Sequence, residues 1–197
     1  MLFAFEGIDA SGKNTQSRLL SEWLRSKGMR CEYLSFPDYS TAIGQEIQAF
    51  LSGRKNYAVE ARHMLYSINR YEHKPEIEKW LNDTGSVVVI NRYCDSNLAY
   101  GGASGLSIEW LRGLESMMPG PDYVFYLKAT PELSKTRKAN RDRFETDLEF
   151  LERVSHVYDT LAESVNWFSV DARDSVQAVH YEIMKLAEGL LEEKRRA

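Results

Sequence analysis

The sequence predicts a three-layer α/β fold, in which a five-stranded parallel sheet is flanked by helices. Short apolar segments alternate with longer segments whose apolar residues recur at helical spacing. One segment, residues 87–90, is apolar without interruption, as expected for a strand covered on both faces. Neither a repeat nor a linker interrupts this alternation, so we expect a single domain over residues 1–197.

The predicted elements follow in chain order. The predicted strands are residues 2–5, 29–36, 86–91, 122–127 and 167–170. The predicted helices are one that carries the apolar stripe of residues 19–24, then 42–51, 59–81, 108–117, one that begins at Pro131, 146–164 and 175–192. Gly28 is expected to end the first helix and Ser107 to cap another. Pro75 is expected to bend or break the helix over residues 59–81.

The composition excludes several classes of protein. A net charge of −4 argues against a general nucleic-acid binder. Cys31 and Cys94 form neither a disulfide framework nor a zinc pattern, so we expect reduced thiols in a cytoplasmic protein. The sequence has no signal peptide and no apolar run of about 18 residues, so we expect no membrane partner.

The loop after the first predicted strand is the most informative segment. Gly7, Gly12 and Lys13 have the Gly-x4-Gly-Lys spacing of a phosphate-binding loop, placed between a strand and a helix. The glycines permit a turn whose N–H groups point at phosphate oxygens, and Lys13 adds a charge that reaches the β- and γ-phosphates. This context predicts a fold of the P-loop NTPase type. The residues expected to bind ATP here are Gly7, Ile8, Asp9, Ala10, Ser11, Gly12, Lys13, Asn14 and Thr15.

Five further segments, taken with this loop, complete a resemblance to the thymidylate kinase family. They are residues 36–41, 66–72, 91–93, 96–103 and 141–145, which occur in the family's order. The resemblance extends over roughly residues 3–183 and implies that the protein phosphorylates dTMP to dTDP with MgATP, in the biosynthesis of deoxythymidine nucleotides. It also implies a homodimer. The apolar residues of segments 59–81 and 108–117, which exceed what one core-facing stripe needs, are compatible with that assembly.

The resemblance assigns the acceptor nucleotide to one set of side chains. Arg92, at the end of a strand, has a guanidinium fork that suits a phosphate monoester and would hold the acceptor phosphate. Tyr66 and Arg70 lie one helical turn apart, so both can face one pocket, where the family stacks thymine and binds its O4. Asn97 would accept from the ring N–H. The remaining assignments are Tyr100 beside the sugar's 2′ position and Phe36 and Pro37 near the thymine methyl group.

Three residues are assigned near Mg²⁺. Asp9 resembles the carboxylate that contacts the acceptor's 3′-hydroxyl or a nearby Mg²⁺. Asn14 replaces the usual hydroxyl residue after the lysine, although its oxygen can still ligate Mg²⁺ directly or through water, or Thr15 can assist. Asn91 replaces the aspartate that usually precedes the arginine-tyrosine pair. These departures predict weaker metal affinity without loss of the reaction.

A basic segment, residues 135–145, matches the lid of the family. Ala10 stands where some members carry an arginine, so the transition-state arginine should come from the lid, as Arg141 or Arg143. Arg137 is expected to stack on adenine. The motifs and residues described so far are also compatible with two alternative functions. One is a deoxynucleoside kinase or another monophosphate kinase on the same fold, and the other is a nucleotide-binding protein with little turnover, as Asn14 and Asn91 suggest.

Overall fold

Five parallel strands form one sheet in the computed structural model, which describes residues 1–137 and 147–196. In space they follow the order β2-β3-β1-β4-β5, and every neighbouring pair is parallel. The strands are β1 Leu2–Glu6, β2 Cys31–Ser35, β3 Val87–Asn91, β4 Tyr123–Lys128 and β5 Trp167–Asp171. The five predicted strands and their parallel arrangement are thus confirmed.

Nine helices are found within the described part of the chain. They are α1 Lys13–Ser26, α2 Ala42–Leu51, α3 Val59–Tyr71, α4 Lys74–Asn82, α5 Cys94–Ala103, α6 Ile108–Glu115, α7 Pro131–Arg137, α8 Leu148–Leu161 and α9 Val176–Arg196. Ser107 caps α6 by accepting from the Trp110 N–H, as predicted. None of these helices is both long enough and apolar enough to cross a membrane.

Helices cover both faces of the sheet because alternate residues of each strand point to opposite sides. In β1, Phe3 and Phe5 belong to the larger of two core clusters, together with Leu20 and Leu24 of α1. Leu2 and Ala4 of the same strand belong to the second cluster, which includes Ile77 of α4. The three-layer architecture follows from this division.

The structure refines the prediction of one helix over residues 59–81. That segment forms two helices, α3 and α4, which are separated at Glu72 and His73. Proline interrupts the hydrogen-bond ladder inside a long helix but fits the first turn of a helix, where its missing N–H is not required. Pro75 occupies that first turn in α4. The expected break near Pro75 is therefore present.

Helix α5 was not among the predicted elements. Its sequence contains two adjacent glycines and no apolar stripe, so it carries little helical signal. The glycines instead serve packing against α6. A Cβ at Gly101 would lie 2.6 Å from Leu111 Cδ1, and one at Gly102 would lie 2.7 Å from Ile108 Cδ1.

Candidate active site

A glycine-bearing loop, residues 7–12, joins β1 to α1 at the carboxyl edge of the sheet. Gly7 has a φ of +140°, and a Cβ there would lie 2.6 Å from the Leu127 carbonyl oxygen, so the position requires glycine. Gly12, with a φ of +102°, immediately precedes the first helical residue, Lys13. The loop and the first turn of α1 therefore offer backbone N–H groups to an anion.

Lys13 is buried, and its ammonium group lies across this loop. Its Nζ donates to the Ile8 carbonyl oxygen and, at 3.3 Å, to Ser11 Oγ. An open cavity, which we call the loop cavity, is lined by most of the residues predicted to bind ATP: Asp9, Ala10, Ser11, Gly12, Lys13, Asn14, Thr15 and Arg137. Gly7 shapes the turn and Ile8 is buried, and neither is among the lining residues.

A second cavity contains every residue that was assigned to the acceptor nucleotide. This aromatic cavity is lined by Phe36, Pro37, Tyr66, Arg70, Arg92, Asn97 and Tyr100, together with other residues that include Asp9 and His63. The fold brings these side chains together from the ends of β2 and β3 and from helices α3 and α5. Asp9 and Arg92 line both cavities, so the two cavities meet at this pair.

Asp9 holds Arg92 and Tyr100 at this junction. The guanidinium of Arg92 donates through Nη2 to Asp9 Oδ1, and it stacks over the Tyr100 ring at 5.3 Å. The Tyr100 hydroxyl donates to Asp9 Oδ2 at 2.6 Å. Burial and then the Asp9 charge raise the pKa of Tyr100 well above its ordinary value, so the hydroxyl keeps its proton and remains a donor.

The backbone that carries Arg92 is fixed by Glu6, a residue to which the sequence analysis gave no role. Arg92 has a φ of +60°, which is unusual for a residue with a side chain and costs conformational energy. Glu6 is fully buried, and its carboxylate accepts from the Tyr93 N–H at 2.7 Å and the Ser96 N–H at 3.1 Å. Tyr158 also donates to it, at 2.8 Å. Glu6 thereby anchors the turn between β3 and α5. A carboxylate ending an otherwise apolar strand was the available signal.

The arginine assigned to the base is held by a buried acid that the sequence did not reveal. Tyr66 and Arg70 lie one turn apart on α3, as expected. Arg70 donates to the Glu115 carboxylate through Nε at 3.0 Å and also through Nη2. The side chains of Arg70 and Glu115 are only 4% and 5% exposed. No local pattern marks Glu115, because it lies 45 positions away from Arg70.

The amide of Asn97 takes part in the same buried network. Its Nδ2 donates to Glu115 Oε1 at 2.8 Å and to Ser67 Oγ at 3.0 Å. Its Oδ1 lies 2.6 Å from His63 Nδ1. Burial lowers the pKa of His63 to about 4, so this histidine is neutral near pH 7.

The three residues assigned to the metal lie around the loop cavity in different states. Asn91 Nδ2 donates to Ser35 Oγ at 2.9 Å, whereas Asn91 Oδ1 is buried and has no hydrogen-bond partner among the described residues. Asn14 Oδ1 instead accepts from Arg18 Nε at 3.1 Å and from the Tyr33 hydroxyl at 3.3 Å. Asp9 is bonded to Arg92 and Tyr100, as described above.

These side chains are better suited to a Mg²⁺ ion that binds together with a nucleotide than to a metal ion that the protein holds by itself. No group of three or more His, Cys, Asp or Glu residues that could hold a metal occurs in residues 1–137 and 147–196. Mg²⁺ bound with a nucleotide needs only one or two protein oxygens, because phosphates and water supply the other ligands. The Asn91 oxygen, which has no hydrogen-bond partner among the described residues, has the chemistry of such a donor.

The basic segment is only partly described. Arg137 ends α7, lines the loop cavity and donates through Nη2 to the Ala172 carbonyl oxygen at 2.7 Å. Ser134 of the same helix donates to the Asp9 carbonyl oxygen at 2.6 Å, which ties α7 to the loop. Arg141 and Arg143, and most of the predicted lid, lie outside the described residues.

Comparisons with known proteins agree with this geometry. The family model described as thymidylate kinase matches residues 5–183. The thymidylate kinase of Arabidopsis thaliana is 35% identical over 185 residues, which cover 94% of this chain and 70% of that protein. The human thymidylate kinase is 35% identical over 191 residues, covering 95% and 89%. The structure of the thymidylate kinase from Candida albicans superposes with a TM-score of 0.84 at 27% identity, covering 95% of this chain and 91% of that one.

Proposed function

The chain belongs to the thymidylate kinase family, and we propose from this premise that it transfers the γ-phosphoryl group of MgATP to dTMP, giving dTDP. One observation carries the proposal: the loop cavity and the aromatic cavity share Asp9 and Arg92. A donor whose triphosphate lies on the loop and an acceptor whose base lies among the aromatic residues would meet at this pair. Such an arrangement supplies the positioning on which phosphoryl transfer depends.

In this proposal, the loop cavity supplies positive charge to the phosphates of the donor, and Arg92 supplies positive charge to the phosphate of the acceptor. The loop N–H groups and Lys13 hold the donor phosphates, and Lys13 follows the group in transfer. Arg92 binds the acceptor phosphate with the N–H groups it has beyond those bonded to Asp9. Asp9 orients Arg92 and stands close enough to the acceptor cavity to meet the sugar's 3′-hydroxyl. No covalent intermediate is involved.

Mg²⁺ would be held by the nucleotide phosphates together with the Asn91 oxygen, with Asn14 and Asp9 nearby. When bound, the metal neutralises charge on the β- and γ-phosphates. Asn14 would have to give up its contacts with Arg18 and Tyr33 to reach the metal directly. Because neither Asn14 nor Asn91 carries a charge, the protein would hold the metal weakly.

We assign two roles to the basic segment: contact with the adenine of the donor, and stabilisation of the charge on the phosphoryl group in the transition state. Arg137 lines the loop cavity and is proposed to stack on adenine. Arg141 or Arg143 is proposed to stabilise the transferring phosphoryl group, on the basis of the family resemblance and of Ala10, which leaves the loop without an arginine.

A coupled assay of ADP release tests the proposed function. We expect ADP to appear with ATP, Mg²⁺ and dTMP together and not when any one is omitted. A panel of nucleosides and other monophosphates should give much lower rates. Turnover of thymidine in place of dTMP would make the protein a nucleoside kinase, and calorimetric binding of ATP and dTMP without ADP release would make it a binding protein.

We also propose a homodimer and a cytoplasmic location. Met64 and Ile68, one turn apart on α3, are 43% and 44% exposed, and Met117 just after α6 is 68% exposed. Apolar side chains exposed on neighbouring turns favour an interface. Light scattering should give twice the monomer mass, and Met64→Lys combined with Ile68→Glu should halve it. The free thiols of Cys31 and Cys94 suit a reducing compartment, which fractionation of cells tests.

A further inference from the structure

The Glu115 carboxylate accepts hydrogen bonds from three side chains of two helices, α3 and α5. It accepts from Ser67 Oγ at 2.6 Å, from Asn97 Nδ2 at 2.8 Å, and from Arg70 through two nitrogens. Burial alone would raise the pKa of Glu115, but the charge of Arg70 and these hydrogen bonds together lower it below its ordinary value. The carboxylate is therefore ionised near pH 7 and can only accept hydrogen bonds.

The ionised Glu115 carboxylate, which can only accept hydrogen bonds, fixes the orientation of the Asn97 amide. The amide group that faces Glu115 must be the NH₂, because the amide oxygen would be repelled there. Ser67 donates its proton to Glu115, so its oxygen is left as a second acceptor for the same NH₂, at 3.0 Å. The His63 carbonyl oxygen is a third acceptor, at 3.2 Å. Both N–H groups of Asn97 are thus committed to the protein.

His63 secures the other end of the amide. Its Nδ1 lies 2.6 Å from Asn97 Oδ1, so the neutral ring carries its proton on Nδ1 and donates it. The amide oxygen has a second lone pair. Because Asn97 lines the aromatic cavity and its NH₂ is already committed, that lone pair is what the residue can offer to a ligand.

Arg70 is oriented by the same carboxylate. It donates to Glu115 through Nε and Nη2, and its third nitrogen, Nη1, carries two further N–H groups. Where Asn97 and Arg70 line the cavity, it therefore presents an acceptor, Asn97 Oδ1, beside a strong donor, Arg70. A pyrimidine with a ring N–H beside a carbonyl oxygen complements both. Cytosine opposes both, because its ring nitrogen is an acceptor and its amino group is a donor.

We propose that Glu115 is the positioning residue for base selectivity, since it holds Asn97 and Arg70 in the one arrangement that reads the N3–H and O4 edge of thymine or uracil. This inference rests on the proposed function and extends it, because Glu115 touches neither the base nor the phosphates in this scheme. Accepting cytosine would require the amide to turn, and that rotation would place its oxygen against the carboxylate.

The variant Glu115→Gln tests the proposal through the ratio of kcat/KM for dTMP to that for dCMP. Glutamine has nearly the same shape but offers both an acceptor and a donor, so either amide orientation of Asn97 becomes possible and Arg70 loses its counter-ion. We expect the ratio to fall by about tenfold or more. The matched control is Glu109→Gln, an exposed residue of the same helix, which should leave the ratio unchanged.

Two results would overturn the proposal. One is an equal loss of kcat/KM for both nucleotides in a folded Glu115→Gln variant, because a purely structural role predicts that pattern. The other is an unchanged ratio of kcat/KM for dTMP to that for dCMP in Asn97→Ala, a variant that removes the amide and keeps Glu115. If Glu115→Gln does not fold, Asn97→Ala provides the test of the proposal. Wild-type protein that fails to phosphorylate dTMP would instead refute the proposed function, so the two failures are distinguishable.

Discussion

The Arg92 guanidinium donates to the Asp9 carboxylate at the point where the loop cavity meets the aromatic cavity. Asp9 follows β1 and Arg92 follows β3, and these two strands are neighbours in the sheet. In the proposed reaction Arg92 can bind the acceptor phosphate at this junction, because it retains N–H donors beyond those that Asp9 accepts.

Replacing Arg92 with lysine should greatly reduce activity. Lysine keeps the charge but loses the planar fork that pairs with two phosphate oxygens. We expect kcat/KM for dTMP to fall by about a hundredfold or more in the ADP-release assay, a loss of about 2.7 kcal/mol of transition-state stabilisation. Arg30→Lys, at an exposed residue that pairs with Asp83, serves as the control. Wild-type kcat/KM in Arg92→Lys would remove Arg92 from the acceptor site.

The nucleotide dUMP should be a poorer but real substrate. It keeps the ring N–H and the O4 that Asn97 and Arg70 are proposed to read, and it lacks only the methyl group near Phe36 and Pro37. Burial of one methyl group contributes about 0.8 kcal/mol, which corresponds to a fewfold lower kcat/KM. Parallel assays with dTMP and dUMP measure this difference. A complete absence of turnover with dUMP would show that the methyl group does more than fill space.

An aspartate at position 91 should strengthen Mg²⁺ binding. The Asn91 oxygen is buried beside the loop cavity without a hydrogen-bond partner among the described residues, and Asn91→Asp would replace it with a charged ligand of similar shape. We expect the Mg²⁺ concentration at half-maximal rate to fall by several fold. Asn82→Asp adds the same charge at an exposed site and should not change it. If the Mg²⁺ concentration at half-maximal rate is unchanged or higher in Asn91→Asp, the metal does not bind at residue 91.

Glu6→Gln should destabilise the fold. Glu6 accepts hydrogen bonds from Tyr93, Ser96 and Tyr158, and the NH₂ group of glutamine would oppose at least one of these donors. Leaving buried donors unpaired should reduce the free energy of unfolding by about 2 kcal/mol or more, as measured by urea denaturation. Glu60→Gln, at an exposed residue in the first turn of α3, is the control and should change stability by less than about 0.5 kcal/mol. Equal stability of Glu6→Gln and the wild type would mean that the anchor is dispensable.

Asp95→Asn should change the pH dependence of stability. Burial and then the carboxylates of Glu6 and Glu115 raise the pKa of Asp95 from 3.8 to about 7. The folded protein therefore keeps a proton that the unfolded chain has already released, and the free energy of unfolding falls as the pH rises from about 4 to about 7. The variant removes this loss, so it should exceed the wild type by roughly 1 kcal/mol or more at pH 8 and match it near pH 4.

Urea denaturation at pH 4.5, 6 and 8 measures the effect of Asp95→Asn. The wild type provides the reference at each pH. A stability difference that does not vary with pH would mean that Asp95 titrates alike in the folded and unfolded chain.

The sequence was sufficient to predict the sheet and many of the residues that line the two cavities. Buried strands have apolar runs, and the carboxyl ends of parallel strands share one edge, so the loop after β1 and Arg92 after β3 were expected to meet. Motif spacing and family resemblance supplied the residues of the aromatic cavity, from Phe36 to Tyr100. Helix α5 was missed because its glycines and polar residues carry no helical pattern, and its formation depends on Glu6 and on close packing with α6.

The sequence by itself therefore determined which side chains meet at the carboxyl edge of the sheet, since that information lies in local patterns and in motif order. Only the tertiary structure decided how those side chains are held. Glu6 lies 90 positions from Ser96, and Glu115 lies 45 positions from Arg70, so neither pairing leaves a local trace. A buried carboxylate finds its donors wherever the folded chain brings them, because it cannot remain unpaired away from water.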